Sequence, residues 1–282
     1  MEPAPPFASN IRLVSTDFDS TLVDHDKPQP FAPELIAVLR TLRRHGVFWV
    51  INTGRSPRLL DHGLTEYGWP IRPDFAITSE REICRPADEK NGLPGRDGTT
   101  WADYGDWNER CARDHEELFA AARPLMRDVL AFLTNETCAT PLFDPTPSAE
   151  ADEQPAGLVA ADEPEMDRIA AFLDSLRPRC PKLGYQRNKI YLRFCHADYD
   201  KGVALAELGR MLGLEADAIF AVGDHHNDLS MLDGRHARHV ACPANAIDEV
   251  KAAVQRAGGH VASAPCSLGV IEALRRHFPE LL

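Results

Sequence analysis

The N-terminal part of the chain alternates between short apolar runs and stretches whose apolar residues recur at helical spacing. Three runs are typical of strands buried in a parallel sheet: residues 11–15, 47–51 and 75–78. Between the first two, residues 33–45 place apolar side chains on one helical face, and Gly46 ends the pattern. Ser56 is a good N-cap and Pro57 suits a first helical turn, so another helix should begin there.

The pattern changes after the third run. Residues 85–107 are rich in Gly, Pro, Asp and Trp, which is typical of a loop or a short hairpin. A mixture of elements is predicted next: a helix over 108–132, an exposed loop over 144–156, a strand over 158–161, a helix over 163–176 and two short antiparallel strands over 182–195. The first pattern then resumes, with helices over 201–213, 246–256 and 267–278 and strands over 218–222 and 240–241.

These patterns predict an α/β protein with a Rossmann-like core, in which helices flank a parallel sheet, and an inserted α+β cap domain. We assign the core to residues 1–83 and 197–282 and the cap to residues 84–196. A length of 282 residues allows either one large domain or two modest ones. Hydrophobic residues make up 44% of the chain, which suffices for a packed core.

Charge and cysteine usage narrow the choice of partners and compartment. The formal net charge is −12, so an acidic surface argues against nucleic acid and anionic membranes as partners. The 7 cysteines are scattered without a Cys-x-x-Cys pair, which favours a reduced, cytoplasmic compartment. We find no signal-peptide pattern and no apolar run of membrane-spanning length. Without an amphipathic seam, we expect a monomer or a weak homodimer.

Two aspartates, Asp17 and Asp19, follow the first apolar run. Residues two apart in an extended chain point to the same side, and the carboxyl end of a parallel strand opens into the ligand-binding crevice. Carboxylates this close repel each other unless a cation or a shared proton lies between them. A pair of solvated loop aspartates is the alternative interpretation.

A second pair of carboxylates, Asp224 and Asp228, follows the apolar run at 218–222. Asp228 lies near the start of a predicted helix, where the helix dipole favours a negative charge, so simple helix capping is the alternative. Four carboxylates converging on one sheet edge provide hard oxygen ligands, which suit Mg²⁺.

Two further segments suit the binding of a phosphate group. Thr53-Gly54 ends the second apolar run, where a hydroxyl and backbone N–H groups can cradle phosphate. Lys201 begins the first helix after the insert and would reach the same edge to neutralise a phosphate oxygen. An ordinary Thr-Gly turn and a solvated lysine are the alternatives.

Taken in order, these segments resemble the four motifs of the haloacid dehalogenase superfamily. The matching segments are Asp17-Phe18-Asp19-Ser20-Thr21-Leu22, Thr53-Gly54-Arg55, Lys201-Gly202 and Gly223-Asp224-His225-His226-Asn227-Asp228. The resemblance covers residues 1–83 and 197–282, and the position and α+β makeup of the insert resemble the Cof-like, type IIB branch. That branch includes sugar-phosphate, sucrose-phosphate and mannosylglycerate-phosphate phosphatases.

The resemblance implies roles for the four carboxylates. Asp17 would attack phosphorus and form an aspartyl-phosphate. Asp19 would protonate the leaving oxygen and then activate water. Mg²⁺ would bridge Asp17 and the phosphate, held also by the Asp19 carbonyl, by Asp224 and, directly or through water, by Asp228.

The resemblance also implies which residues support the phosphoryl group. Thr53-Gly54 and Lys201 would hold its oxygens, and Asn227 would position Lys201 or a metal carboxylate. The chain departs from the branch at Ser79-Glu80-Arg81, where Ser-Asn-Gly is usual and the Asn faces the site. His225-His226 fills a variable pair, for which we expect a solvent-exposed loop rather than a zinc site.

Leaving-group recognition is expected in the cap. Trp101, Trp107, Arg187 and Lys189 are the candidates, with packing as the favoured interpretation for the tryptophans and a solvated strand face as the equal alternative for Arg187 and Lys189.

The sequence therefore predicts a Mg²⁺-dependent phosphatase of a small phosphorylated metabolite, such as a sugar phosphate. One alternative is a phosphomutase similar to phosphomannomutase, which shares the core and the cap type. Another is a non-catalytic protein that binds a phosphorylated ligand, against which the intact pair Asp17 and Asp19 argues.

Overall fold

A computed structural model describes residues 10–143 and 154–282 of the chain. The chain divides into two compact units, Met1–Asn108 with Asp200–Leu282, and Glu109–Tyr199. We call them the larger and the smaller unit and describe each by itself. The predicted exposed loop at 144–156 lies mostly outside the described residues.

The bounds of the elements follow in chain order. The strands are β1 Leu13–Thr16, β2 Phe48–Asn52, β3 Phe75–Thr78, β4 Glu82–Pro86, β5 Trp101–Asp103, β6 Thr140–Phe143, β7 Pro155–Val159, β8 Leu183–Asn188, β9 Tyr191–His196, β10 Ile219–Val222, β11 His239–Cys242 and β12 His260–Val261. The helices are α1 Pro33–Arg44, α2 Pro57–Glu66, α3 Trp107–Glu136, α4 Glu163–Leu176, α5 Lys201–Met211, α6 Leu229–Leu232, α7 Asp248–Arg256 and α8 Cys266–His277.

The larger unit is built on a sheet of the order β12-β11-β10-β1-β2-β3-β4-β5. The strands from β12 to β3 are parallel, whereas β4 and β5 continue the sheet in antiparallel fashion. Strand β1 is central: Leu13 lies opposite Ile219 of β10 on one side and Phe48 of β2 on the other. The predicted parallel core is confirmed, and the carboxyl ends of its strands share one edge.

Burial explains why the apolar runs form these strands and helices. Every residue of β1 and β10 is buried, as expected for strands covered on both faces. Leu35, Leu39 and Leu42 lie on one face of α1 and are almost fully buried in the apolar core. Gly46 adopts a left-handed conformation with φ 77° directly after α1, which a residue with a side chain rarely adopts.

Residues 85–107 differ from the sequence prediction. Strand β4 pairs with β3, and β5 pairs with β4, so this part of the chain extends the main sheet rather than forming a loop or an isolated hairpin. Cys84 and Trp101 are 1% and 0% exposed and pack in the core of the larger unit. The compact units consequently divide near residues 108 and 199, whereas we predicted a cap that begins at 84 and ends at 196.

The smaller unit contains a four-stranded antiparallel sheet in the order β6-β7-β9-β8, together with α4 and most of α3. Its core includes Met126 of α3, Ile169 of α4 and Leu158 of β7, all fully buried. Phe132 and Phe172 stack with ring centroids 3.8 Å apart. This unit is the α+β insert that the sequence predicted.

Two further features concern membrane-spanning helices and the cysteines. Within the described residues, no helix combines the length and apolarity needed to cross a membrane. All the cysteines are free thiols, and Cys84, Cys111, Cys195, Cys242 and Cys266 are buried. These five thiols therefore pack as small apolar groups in the interior.

Candidate active site

The candidate residues of the larger unit lie where its parallel strands end. Asp17 directly follows β1, and its backbone N–H donates to the carbonyl of Val222 at 2.9 Å, continuing the pairing with β10. Thr53 directly follows β2, and its N–H donates to the carbonyl of Ile77 at 2.8 Å. Asp224 lies just beyond the end of β10. The predicted convergence on the carboxyl edge therefore occurs.

Three buried carboxylates and one ammonium form a compact group that we call the carboxylate–lysine cluster. Its members are Asp17, Asp224, Asp228 and Lys201. One carboxylate oxygen from each aspartate lies within 4.8 Å of the others. The Nζ atom of Lys201 donates to Oδ1 of Asp17 at 2.7 Å and to Oδ1 of Asp228 at 2.6 Å. The structure thus brings together residues from three of the four motif segments.

Hydrogen bonds from nearby groups fix the orientation of two of these carboxylates. Oδ2 of Asp228 accepts from the backbone N–H groups of Asp224 and His225, at 2.8 and 2.9 Å. Oδ1 of Asp224 accepts from the hydroxyl of Thr21 at 2.7 Å. A Cβ atom on Gly223 would lie 2.5 Å from the Asp228 carboxyl carbon, so only glycine allows this close approach.

The start of α5 positions Lys201, whose side chain is completely buried. The carboxylate of Asp200 accepts from the N–H of Val203 and caps the helix. The amide of Asn52 donates to the Lys201 carbonyl at 3.0 Å. Gly202 lets the helix pack against α6, because a Cβ there would lie 2.3 Å from the carbonyl oxygen of Ser230.

The cluster has an excess of negative charge. Burial raises the pKa of Asp17, Lys201 lowers it, and the carboxylates of Asp228 and Asp224 raise it, so that it stands well above the usual value. For Lys201, burial lowers the pKa, but Asp17 and Asp228 outweigh burial and raise it, which keeps the ammonium charged. Three carboxylates therefore face one cation in a buried site.

This donor set fits a divalent metal ion. Asp17, Asp224 and Asp228 present hard carboxylate oxygens close to one another, the ligand type that Mg²⁺ prefers. A divalent cation would also balance the negative charge that Lys201 leaves uncompensated. The residues present thus match the metal site that the sequence predicted.

Asp19 lies beside the cluster, but its side chain contacts basic residues rather than the lysine. Its carboxylate accepts hydrogen bonds from Nη2 and Nε of Arg55, the shortest at 2.7 and 2.9 Å, and lies 2.9 Å from Nε2 of His25. The other ring nitrogen of His25 lies 2.8 Å from the hydroxyl of Tyr67. Burial raises the pKa of Asp19. The hydrogen bonds from His25 and Arg55 outweigh burial and lower this pKa to about 2.

Arg55 itself is held from several directions. Its guanidinium lies over the ring of Phe18, 5.0 Å from the centroid. Nη1 donates to the carbonyl of Leu59 at 3.2 Å. A Cβ on Gly63 would lie 2.3 Å from Nη1, so the helix α2 has room for the arginine only because glycine is there.

Thr53 and Gly54 occupy the expected loop after β2. The Thr53 side chain is fully buried, and its hydroxyl accepts from the backbone N–H of Arg55 at 3.2 Å. The N-cap of the following helix is Ser56, as predicted. These residues therefore lie at the same strand edge as the cluster.

Sequence reasoning left Glu80 unassigned, although the departure from Ser-Asn-Gly was the available signal. Glu80 is 7% exposed, and its Oε1 accepts from the amide of Asn227 at 2.9 Å. Asn227 was expected to position Lys201 or a metal carboxylate, and the structure instead pairs it with this additional carboxylate.

The prediction of a solvent-exposed His225-His226 loop is wrong. His225 is 3% exposed, and the rings of His225 and His226 lie 4.8 Å apart. The reason is the compact turn after β10, in which Asp228 caps the backbone of His225.

The candidates for leaving-group recognition divide between the units. Trp101 and Trp107 belong to the larger unit and are 0% and 5% exposed, and the Trp107 indole donates to the Arg81 carbonyl at 2.6 Å. Packing was the favoured interpretation for both, and it is correct. Arg187 and Lys189 lie in the smaller unit, where Arg187 pairs with Asp167 at 2.6 Å.

The chain is similar in sequence to known hydrolases. A sequence model of the haloacid dehalogenase-like hydrolases matches residues 136–272. A candidate phosphatase of Streptococcus pyogenes serotype M6 is 22% identical over 236 residues, which is 79% of this chain and 84% of that protein.

Two solved structures are similar over nearly the whole chain. The sucrose-phosphatase of Synechocystis sp. PCC6803, solved with sucrose and phosphate, matches with a TM-score of 0.65 and 17% identity, covering 95% of this chain and 98% of that one. A sugar phosphatase of haloacid dehalogenase subclass IIB matches with a TM-score of 0.64 and 16% identity, covering 95% and 99%. At these identities the likeness shows the fold.

The fold, the carboxylate–lysine cluster and the sequence match over residues 136–272 are all similar to those of the haloacid dehalogenase-like hydrolases. The relative from Streptococcus pyogenes carries the name of a phosphatase. The resemblance noted in the sequence and the predicted fold class are confirmed.

Proposed function

We propose that the protein is a Mg²⁺-dependent phosphatase that acts on a small phosphorylated metabolite through an aspartyl-phosphate. The observation that carries the proposal is the 2.7 Å contact between Asp17 and the buried ammonium of Lys201, beside Asp224 and Asp228. The likeness to a sucrose-phosphatase and to a sugar phosphatase supports a sugar phosphate or a related phosphomonoester as the substrate class.

In the first step, a carboxylate oxygen of Asp17 attacks phosphorus, and the bond between phosphorus and the ester oxygen breaks. The leaving oxygen takes a proton from Asp19 and departs as an alcohol. Lys201 orients the attacking carboxylate through its hydrogen bond. Thr53 and Gly54 hold phosphoryl oxygens together with Lys201.

In the second step, Asp19 takes a proton from water, and the water oxygen attacks phosphorus. The bond between phosphorus and Asp17 breaks, which releases inorganic phosphate and restores the carboxylate. Asp19 ends the cycle with the proton that the next leaving group needs.

Asp17, Asp224 and Asp228, with the carbonyl of Asp19, would hold the metal ion. When bound, Mg²⁺ supplies the positive charge that lets a carboxylate approach a phosphate dianion. Thr21 supports this set by donating to Asp224 at 2.7 Å. Asn227 donates to the adjoining Glu80 at 2.9 Å.

The state of Asp19 sets a requirement on the first step. The hydrogen bonds from His25 and Arg55 keep it ionised at neutral pH in the free protein, since they outweigh burial and lower its pKa to about 2. Asp19 must carry a proton to act as the acid. The mechanism therefore requires that substrate binding weaken these hydrogen bonds.

The direct test compares phosphate release from a panel of phosphorylated metabolites by the wild type and by Asp17→Asn, each with Mg²⁺. Asp17→Asn should reduce turnover by about 10³-fold or more. Asp26→Asn, an exposed aspartate in the following loop, is the matched control and should keep full activity. Equal rates for the wild type and a folded Asp17→Asn would end the mechanism.

A second readout detects the intermediate itself. With p-nitrophenyl phosphate, whose leaving group needs no acid, Asp19→Asn should slow the second step more than the first. The peptide that contains Asp17 should then carry a phosphoryl group in mass spectrometry. A phosphoryl group on a different residue would contradict the assignment of the nucleophile.

The phosphomutase alternative differs in its products. A phosphomutase moves the phosphoryl group between hydroxyls of a hexose phosphate without net release of phosphate. Product analysis by NMR separates the two reactions. A non-catalytic protein would be stabilised by phosphate analogues and would turn over no member of the panel.

A further inference from the structure

Glu80 adds a carboxylate to the strand edge, and none of the steps above uses it. The residue follows β3 and is 7% exposed. Ser79 and Glu80 both adopt left-handed backbone conformations, with φ of 50° and 65°. Such conformations are unfavourable for residues other than glycine and concentrate at functional sites. The chain thus accepts local strain to place this side chain.

Backbone hydrogen bonds tie this strained turn to the predicted phosphate cradle. The N–H of Glu80 donates to the Thr53 carbonyl at 3.0 Å, and the N–H of Ser79 donates to the Arg55 carbonyl at 2.8 Å. A Cβ atom on Gly54 would lie 3.1 Å from Oε1 of Glu80. The carboxylate therefore lies directly against Gly54, where a phosphate group would bind.

The partner of Glu80 creates a second acceptor at this place. A carboxylate can only accept, so the amide nitrogen of Asn227 faces Glu80 and its Oδ1 faces away. Asn227 is 4% exposed, and its Oδ1 has no hydrogen-bond partner among the described residues. This oxygen has the capacity to accept a hydrogen bond from a hydroxyl or ammonium group of a ligand.

We propose that Glu80 is a specificity-determining residue, which selects phosphate esters whose leaving group carries a hydroxyl or an ammonium close to the ester oxygen. A donor group would satisfy the acceptors at this edge, whereas a carboxylate on the leaving group would meet a buried like charge. The inference rests on the proposed function and adds the chemistry of the leaving group to it.

The test uses four esters of one carbon skeleton: ethyl phosphate, 2-hydroxyethyl phosphate, phosphoethanolamine and phosphoglycolate. They share two carbons and differ at the second one, which is a methyl carbon, a carbon that bears a hydroxyl, a carbon that bears an ammonium, or the carboxylate carbon itself. The quantity measured is kcat/KM, or the competitive inhibition constant against p-nitrophenyl phosphate for a member that turns over too slowly. In the wild type, kcat/KM for the hydroxyl and ammonium esters should exceed kcat/KM for phosphoglycolate by about tenfold or more.

Glu80→Gln is the decisive variant. Its amide oxygen can still accept from Asn227, so the structural contact is kept while the charge is removed. Preference for 2-hydroxyethyl phosphate over phosphoglycolate should fall by about tenfold or more. Glu82→Gln, in the same segment but paired with Arg96 at 2.9 Å, is the matched control and should keep the wild-type preference.

The outcomes separate the inference from the proposed function. An unchanged preference in a folded, active Glu80→Gln overturns the inference and leaves the phosphatase mechanism standing. A wild type that prefers phosphoglycolate also overturns it. A wild type that releases phosphate from no ester, p-nitrophenyl phosphate included, overturns the proposed function and the inference with it.

Discussion

Lys201 donates a hydrogen bond of 2.7 Å to Asp17, although 184 positions separate the two residues in the chain. Both side chains are buried, and the same ammonium contacts Asp228 at 2.6 Å. Forming a buried ion pair requires desolvation of both charges, which costs free energy. Removing only one partner costs more, because the other charge then stays buried without compensation. The lysine therefore stabilises the fold around the site, in addition to the role proposed for it in binding phosphate.

Replacing Lys201 by methionine should lower the free energy of unfolding by about 3–5 kcal/mol, because the buried carboxylates lose their counter-charge. Urea unfolding measures this. Lys251→Met is the control, since Lys251 lies 3.8 Å from a fully exposed Asp248 and should matter little. Equal stability of the two variants would show that Lys201 does not balance the cluster.

Mg²⁺ should raise the melting temperature of the wild type, because it binds the folded site and relieves the repulsion among the carboxylates. Asp224→Asn should abolish most of this shift. Thr21→Val, which removes the hydroxyl that orients Asp224, should weaken Mg²⁺ binding by about 10–100-fold. The measurement is a titration of the melting temperature against Mg²⁺ for the wild type, Asp224→Asn and Thr21→Val. A K⁺ titration controls for ionic strength. An equal response to both cations would contradict the metal site.

Arg55→Met should raise the pKa of Asp19 from about 2, since the ion pair that favours the charged form is lost while burial still opposes it. Carboxyl ¹³C NMR of the titrating protein reads this directly. Arg58→Met, in the first turn of α2, is the control. If the pKa of Asp19 were unchanged in Arg55→Met, Arg55 would not be the cause of the low pKa.

Two glycines of α5 should respond differently to alanine. In Gly202→Ala the new Cβ would lie 2.3 Å from the Ser230 carbonyl, so overpacking should cost about 1–3 kcal/mol and displace the neighbouring Lys201. In Gly209→Ala the nearest atom is the terminal carbon of Ile219 at 2.8 Å, which a flexible side chain can move. The melting temperature and the activity should both fall more in Gly202→Ala than in Gly209→Ala. The reverse order would contradict the packing described for these two glycines.

Glu272 should contribute a pH-dependent part of the stability. The hydroxyl of Ser263 donates to its carboxylate at 2.7 Å and, with the Ser263 N–H and His260, lowers the pKa of Glu272 to about 2. A lowered pKa in the folded state means that the contribution is complete above the unfolded value of 4.5 and is lost as the pH falls toward 2. Glu272→Gln should therefore be less stable than the wild type at pH 7, and the difference should shrink below pH 4.5. A difference that stays constant across this range would disprove the ionic contribution.

The sequence was most informative where an apolar run ends in a polar residue. Such a run fixes both the strand and the edge at which Asp17, Thr53 and Asp224 appear, so their convergence follows from parallel topology alone. Helix α1 was predictable for a related reason, since its buried leucines repeat at helical spacing.

The rest depended on contacts that no periodicity encodes. Strands β4 and β5 are short, and their place in the sheet is decided by the burial of Cys84 and Trp101. The position of Glu80 follows from two left-handed residues and a side-chain contact with Asn227, a residue 147 positions away. The burial of His225 follows from a capped turn rather than from its own polarity.

The central position of β1 has a consequence for synthesis of the protein on the ribosome. One edge of β1 pairs with β2, which is made early, but the other pairs with β10, which begins only at Ile219. The counter-charge of Asp17 also comes late, at Lys201. A nascent chain that has not yet reached β10 therefore exposes an unpaired apolar strand edge, the kind of surface that chaperones shield from aggregation.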